Sequence, residues 1–153
     1  MPGSDDWCTP QWLVDAIGEC DLDPCSNSNS LVKATRKVQL PEDGLSVDWS
    51  GKVFVNPPYS KPLPWAKKAA ESLASQRDNS LLMLLRLDPT TRWFRVLVEA
   101  EFQFFALKER MQFVGAPGKA NFCSVLAAYG GWADELCYDL EHAGKVYSGW
   151  LAR

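Results

Sequence analysis

The sequence has few of the residues that bind metal ions or form disulfide frameworks. It contains one histidine, His142, and five cysteines, an odd number with no C-x-x-C pair among them. A zinc site is therefore not expected, and no metal is predicted. The acidic opening has no apolar run of signal-peptide length, and no segment is apolar enough to span a membrane. These absences predict a cytoplasmic protein with reduced thiols and no membrane partner.

Positive charge is also missing from the first 30 residues, which hold six acidic side chains and no Lys or Arg. Residues 31–119 carry fourteen basic side chains against nine acidic ones, although the formal net charge of the chain is -3. The net charge of the whole chain argues against a generic polyanion binder, whereas the uneven distribution of charge along the chain predicts a local basic surface. The basic residues expected to form it are Lys61, Lys67, Lys68, Arg86, Arg92 and Arg95.

The order of apolar patterns predicts an α/β protein. A chain of 153 residues, 46% of them hydrophobic, fits a single domain over 1–153 with a sizeable core. Thr9 is expected to be the N-cap of a first helix that has Pro10 as its first residue. Residues 31–51 are expected to be irregular. The periodicity predicts strands at 20–23, 53–55, 80–87 and 102–107, and helices at 10–18, 63–76, after Thr90 or Thr91, and at 132–141.

The C-terminal third is predicted to add antiparallel strands. Gly115, Pro117 and Gly118 separate the apolar runs 110–114 and 122–129, a pattern typical of a hairpin, and a last strand is expected at 146–150. The expected fold is an open, mostly parallel sheet with this hairpin at one edge. Ligands bind such sheets beyond the carboxyl ends of the strands, which would bring Asp23 and Asn56 to the same rim.

A rigid tetrapeptide, Asn56-Pro57-Pro58-Tyr59, follows the apolar run at 53–55. Each proline fixes its own φ and lacks an N–H, and Pro58 also restricts Pro57 to extended geometry. The Asn56 side chain and the Pro57 carbonyl are therefore held as a fixed pair of acceptors beside the Tyr59 ring. This geometry suits the methylation of a conjugated amine, whose lone pair is delocalised and whose developing positive charge needs acceptors.

The order of the motifs resembles that of the phage-type DNA N6-adenine methyltransferases. The resemblance rests on residues 7–10, 22–25, 43–45 and 56–60, and continues through Trp65, Trp93-Phe94 and the segment 110–113. It implies a Rossmann-like fold that binds S-adenosylmethionine and methylates the exocyclic N6 amine of adenine in double- or single-stranded DNA. Since a base inside a duplex cannot be reached, the target adenine would be flipped out and stacked on Tyr59.

The resemblance also implies roles for particular residues. Asp23 would pair with the methionine ammonium of the cofactor, Thr9 would bind its carboxylate from a helix N-terminus, and Asp43 would contact its adenosine end. The complete cofactor set expected from the motifs is Thr9, Pro10, Asp23, Pro24, Cys25 and Asp43. The catalytic set is Asn56, Pro57, Pro58 and Tyr59, and the residues expected to contact DNA are Ser60, Lys61 and Arg92.

The chain departs from the usual pattern of such enzymes in three respects. The loop 26–30 contains no glycine, and only about thirty residues separate Asp23 from Asn56, so the sheet is expected to be abbreviated. The motifs then do not identify the acidic residue that would bind the ribose of the cofactor. No room is left for a separate target-recognition domain, which suggests weak sequence specificity or help from a second subunit in a homodimer.

Two other functions fit the same residues. The tetrapeptide also serves enzymes that methylate protein glutamine amides or amino groups of RNA bases, since all of these acceptors present a planar, conjugated NH2. The missing glycines and the acidic net charge are instead compatible with a catalytically weak binding module on a methyltransferase-like fold. Cofactor titration and labelled methyl transfer separate these hypotheses.

Overall fold

Strands and helices alternate through the middle of the chain, as the periodicity predicts. The computed structural model describes residues 4–151. Its helices are α1 (Gln11–Ile17), α2 (Leu63–Ser75), α3 (Arg92–Glu99) and α4 (Gly131–His142). Its strands are β1 (Glu19–Asp23), β2 (Lys33–Lys37), β3 (Lys52–Val55), β4 (Ser80–Arg86), β5 (Gln103–Ala106), β6 (Ser124–Tyr129) and β7 (Trp150–Leu151).

All seven strands form one sheet in the order β2-β1-β3-β4-β6-β5-β7. Strands β2, β1, β3 and β4 pair in parallel, whereas β6 is antiparallel to both β4 and β5, and β7 is antiparallel to β5. Five strands therefore run in one direction, which confirms a mostly parallel sheet. We call the edge at which these five strands end the carboxyl edge.

The sheet is covered on both faces, which explains the continuous apolar run in β4. Leu82 and Leu84 pack on the side of α1 and α4, while Leu81 and Met83 pack on the side of α2 and α3. All four side chains are fully buried. Because successive residues of a strand point to opposite faces, a strand buried on both sides has no polar alternation.

Three secondary-structure predictions are wrong. Residues 33–37 form an edge strand in a segment expected to be irregular, and residues 110–114 form no hairpin with β6. Val114 makes only an isolated antiparallel bridge to Cys8. The antiparallel strand β6 lies inside the sheet rather than in an edge hairpin, because it pairs with β4 on one side and with β5 on the other.

Smaller differences concern the ends of the chain. Pro10, not Thr9, occupies the N-cap position of α1, which leaves the Thr9 side chain free for another contact. The last strand is Trp150–Leu151, and Val146 forms only an isolated bridge to Leu107.

The sheet is abbreviated in its connections rather than in its number of strands, since no α-helix lies between β1 and β3. Within residues 4–151, no helix has the length and hydrophobicity needed to cross a bilayer.

Gly44 lets the loop before β3 pack directly on the end of β1. A Cβ atom at this position would lie 1.7 Å from the Pro24 carbonyl oxygen. The Gly44 carbonyl oxygen accepts a hydrogen bond from Trp49 Nε1 at 2.9 Å, and Trp49 stacks on Trp65 with ring centroids 6.1 Å apart. The loop is thus joined to α2 through two indole rings.

We expect Gly44→Ala to lower the free energy of unfolding by about 3 kcal/mol, because the added methyl group must push backbone apart. Gly118→Ala is the matched control, since a Cβ there meets nothing within 4 Å. Urea denaturation of both variants measures the difference. Equal stability of the two variants would contradict the close packing of Gly44.

Candidate active site

The ends of β1 and β3 bring the predicted site residues together. These strands are neighbours in the sheet, with Leu22 paired to Val53, so Asp23 and Asn56 both reach the carboxyl edge. Thr9, from the segment before α1, lies against them. Thr9, Asp23, Cys25, Asn27 and Asn56 all line one small cavity. Residues from three separate segments therefore face the same space.

The amide of Asn56 is oriented by hydrogen bonds at both of its polar atoms. Its Nδ2 donates to Thr9 Oγ1 at 3.1 Å, and its Oδ1 accepts from the Tyr59 hydroxyl at 3.1 Å. Thr9 is only 3% exposed, and Pro57 behind Asn56 is also buried. Oδ1 has two lone pairs, so it can accept from one further donor besides the Tyr59 hydroxyl.

Tyr59 belongs to an aromatic cluster, which we define as Trp7, Tyr59, Phe113 and Phe122. The Tyr59 ring centroid lies 5.6 Å from that of Phe113 and 5.3 Å from that of Phe122. Trp7 stacks on Phe113 at 5.8 Å. Burial raises the pKa of the Tyr59 hydroxyl above its usual range, so this group is a hydrogen-bond donor at all ordinary pH values.

Sequence reasoning did not assign Trp7, Phe113 and Phe122 to the site. The two phenylalanines flank a loop rich in glycine and proline, for which the sequence pattern predicts a hairpin turn. Their approach to Tyr59 depends on the loop 107–123 folding back over the carboxyl edge. The only local signal was the position of an aromatic residue on either side of this loop.

Asp23 is a buried carboxyl group, and no cation among residues 4–151 forms a salt bridge with it. It is 2% exposed, and its Oδ1 accepts from the Cys25 N–H at 3.3 Å. Burial raises the pKa of Asp23 to about 6, against smaller lowering effects of that N–H, Lys37 and Ser26. A carboxylate that titrates near neutrality inside a cavity is typical of a functional site.

A second cavity of about 510 Å³ adjoins the first and is acidic. Both are lined by Asp5, Cys25 and Asn27. Its wall also includes three further acids and no Lys or Arg among the described residues; these acids are Asp6, Glu42 and Asp43. Asp43 also accepts from the Leu45 N–H at 2.9 Å. Pro24, Pro58 and Trp65 supply apolar wall, whereas Pro10 lines neither cavity.

The loop without glycine is stabilised by its own asparagine. Asn27 Oδ1 accepts from the Asn29 N–H at 2.9 Å and from Cys8 Sγ at 3.3 Å. Side-chain acceptors of this kind stabilise tight turns that glycine would otherwise make. The loop therefore forms a wall of both cavities despite its composition.

The residues expected to contact DNA have different surroundings. The Asp5 carboxylate accepts from the Ser60 N–H at 3.1 Å and from Ser60 Oγ at 2.5 Å. Ser60 is thus bound to the N-terminal segment. Lys61 and Arg92 are exposed, the latter as the first residue of α3 at the carboxyl edge. The DNA contacts of all three residues stay predictions.

Comparison with known proteins identifies the family. A family model described as DNA N-6-adenine-methyltransferase (Dam) matches residues 2–128, a range that contains both cavities and the aromatic cluster. The DNA N-6-adenine-methyltransferase of Haemophilus phage HP1 (strain HP1c1) is 32% identical over 98 residues, 60% of this chain and 56% of that protein. The protein of the same name from Escherichia phage T1 is 35% identical over 95 residues, 58% of this chain and 38% of that protein.

The chain therefore matches about half or less of the length of these curated relatives. The family model, in contrast, matches most of this chain. The chain belongs to the DNA N-6-adenine-methyltransferase (Dam) family.

Proposed function

We propose that this protein transfers a methyl group from S-adenosylmethionine to the N6 amine of adenine in DNA. The observation that carries the proposal is the Asn56 amide, held by Thr9 and Tyr59 beside buried Asp23 in a chain of the Dam family. The acceptor, adenine in DNA, is taken from the names of the two phage relatives. A Rossmann-like methyltransferase sheet, with β6 inserted between β4 and β5, is part of the same proposal.

The charges of the two cavities support a cationic cofactor. S-adenosylmethionine supplies an electrophilic methyl group on a positively charged sulfur, and its methionine part carries an ammonium group. The buried Asp23 carboxylate would hold that ammonium, and Thr9 Oγ1 can donate to the methionine carboxylate while it accepts from Asn56. Asp43 and the wall formed by Pro24, Pro58 and Trp65 would hold the adenosine end.

For this reaction the chain has to accept hydrogen bonds from the two N–H groups of the target amine. Asn56 Oδ1 and the Pro57 carbonyl would accept the two N–H groups of the target amine and stabilise its positive charge as the nitrogen bonds to the methyl carbon. The bond from that carbon to the cofactor sulfur would break at the same time, and the sulfur would leave as a neutral thioether. Oδ1 has two lone pairs, so it can retain the Tyr59 hydroxyl as a second donor. One N–H proton is then lost to solvent, and no side chain with a tuned pKa is needed.

The aromatic cluster is the proposed receptor for a flipped-out adenine. Tyr59 adjoins the proposed acceptor atoms, and Phe113 and Phe122 support its ring. Stacking a base on an aromatic side chain contributes about 1–3 kcal/mol, which offsets part of the cost of extruding that base. DNA is the proposed partner, the host cytoplasm the proposed location, and a homodimer stays a prediction.

We expect Asn56→Ala to reduce kcat for methyl transfer at least about 100-fold, as loss of one charge-stabilising group does elsewhere. Cofactor affinity, measured by calorimetric titration, should change little. Asn29→Ala is the control, because Asn29 is exposed and lines neither cavity. Transfer of labelled methyl groups to duplex DNA, RNA and protein is compared, and label in RNA or protein alone would contradict the proposed acceptor.

Thr9→Val should lower kcat with little change in KM for DNA, because it removes the acceptor that orients the Asn56 amide while keeping the side-chain shape. The Nδ2 donor would lose its hydrogen-bond partner, which costs about 1–3 kcal/mol. Rotation of the amide would relieve this cost, but it would also move Oδ1 away from the position in which it accepts from the target amine. Thr9→Ser keeps the hydroxyl and should restore kcat. If valine and serine variants are equally impaired, the orienting role is wrong.

Asp23→Asn should stabilise the cofactor-free protein at pH 8 but abolish cofactor binding. The pKa of Asp23 in the folded protein, about 6, is above its ordinary value of 3.8. Because of this raised pKa, the free energy of unfolding should fall as pH rises from 4 through 6. At pH 8 it should be about 3 kcal/mol lower than below pH 4. The asparagine variant should lack this pH dependence in urea denaturation.

Calorimetric titration of the same variant with S-adenosylmethionine measures the second effect. Unchanged affinity would contradict the proposed pairing of Asp23 with the cofactor ammonium.

A further inference from the structure

Four cations surround an open groove outside the proposed cofactor and base sites. They are exposed, and they come from three stretches of the chain: the residues soon after β5, the later part of the same loop before β6, and the segment after α4. The groove measures about 280 Å³, and Glu109 is the one acidic residue among the described residues that line it. We call this surface the basic groove; its cations are Lys108, Arg110, Lys119 and Lys145.

The basic groove is built on ordered backbone. The Lys108 N–H donates to the Lys145 carbonyl at 3.1 Å, and the Ala120 N–H donates to the Met111 carbonyl at 2.9 Å. The Lys145 ammonium lies 5.2 Å from the centroid of the Trp12 ring. Within residues 4–151, none of the four cations forms a salt bridge, so their charge is available to a ligand.

The basic groove lies at the same edge of the sheet as Asn56. Strand β5 runs parallel to β4, because both are antiparallel to β6, and Lys108 follows the carboxyl end of β5. Arg110 and Phe113 are three positions apart in sequence, a span of at most about 11 Å along the chain. Phe113 touches Tyr59 in the aromatic cluster. Arg110 is therefore within a few nucleotides of any base held on Tyr59, at about 3.4 Å of helix axis per nucleotide of one strand.

We propose that the basic groove binds the phosphate backbone of DNA beside the flipped-out adenine, an inference that rests on the function proposed above. Exposed cations distributed over several segments suit a row of phosphates better than a single small anion, which needs a few buried, convergent donors. The net charge of the chain is -3, and the neighbouring cofactor cavity is acidic, so this groove supplies a local attraction for DNA that the net charge does not.

The test removes two charges from the groove and two from the opposite end of the sheet. Arg110→Ala/Lys119→Ala is compared with Lys52→Ala/Arg77→Ala, since Lys52 begins β3 and Arg77 follows α2, both exposed and away from the carboxyl edge. Binding of a fluorescent 20-base-pair duplex containing adenine is measured by anisotropy from low to high salt. Cofactor titration and methyl transfer by the unaltered protein are measured in parallel.

Each lost phosphate contact should make the slope of log K against log salt concentration less negative by about 0.9, hence about 1.8 for the groove pair. The control pair should leave the slope unchanged, and Arg110→Lys/Lys119→Arg should restore it. Equal slopes for the groove pair and the unaltered protein, with methyl transfer intact in the latter, would overturn this inference alone. Absence of transfer by the unaltered protein would instead overturn the proposed function, and this inference with it.

Discussion

The hydrogen bond from Asn56 Nδ2 to Thr9 Oγ1 is the contact on which the arrangement of the site depends. It joins residues 47 positions apart, one before α1 and the other after β3. The surrounding structure supports it: Thr9 is free because Pro10 takes the N-cap position, and the prolines after Asn56 restrict its backbone. An amide oriented in this way needs no change in protonation in order to accept the hydrogens of an amine.

Charge is separated in space along the carboxyl edge of the sheet. The two cavities of the candidate site contain only acidic charged side chains among their described residues, whereas the basic groove carries four cations against one acid. Asn56 lines the first cavity and is hydrogen-bonded to Tyr59. Tyr59 packs on Phe113, which follows the groove residue Arg110 by three positions in sequence. A cationic cofactor and a polyanionic substrate would thus be attracted to different parts of the same edge, and the uncharged amide would act where they meet.

The parts of the fold that local patterns determine were predicted well. The strands β1, β3, β4 and β5 and all four helices were expected from hydrophobic periodicity and capping residues, within about two residues at their ends. The hairpin over 110–129 was wrong because β6 finds its partners in β4 and β5 rather than in the run next to it in sequence. The edge strand β2 was missed because its side chains are mostly exposed and charged, so no apolar pattern marks it.

The sequence by itself determined the chemical groups of the candidate site: Asn56 with its rigid prolines, Asp23 at a strand end, and an uneven distribution of charge. Proline restricts the backbone, and apolar periodicity selects secondary structure, through interactions between near neighbours, so both are visible in the chain. Only the tertiary structure decided that Thr9 orients the amide, that Phe113 and Phe122 meet Tyr59, and that four scattered cations share one groove. These contacts depend on strand order and on how the loop 107–123 folds back, which arise from packing between segments far apart in sequence.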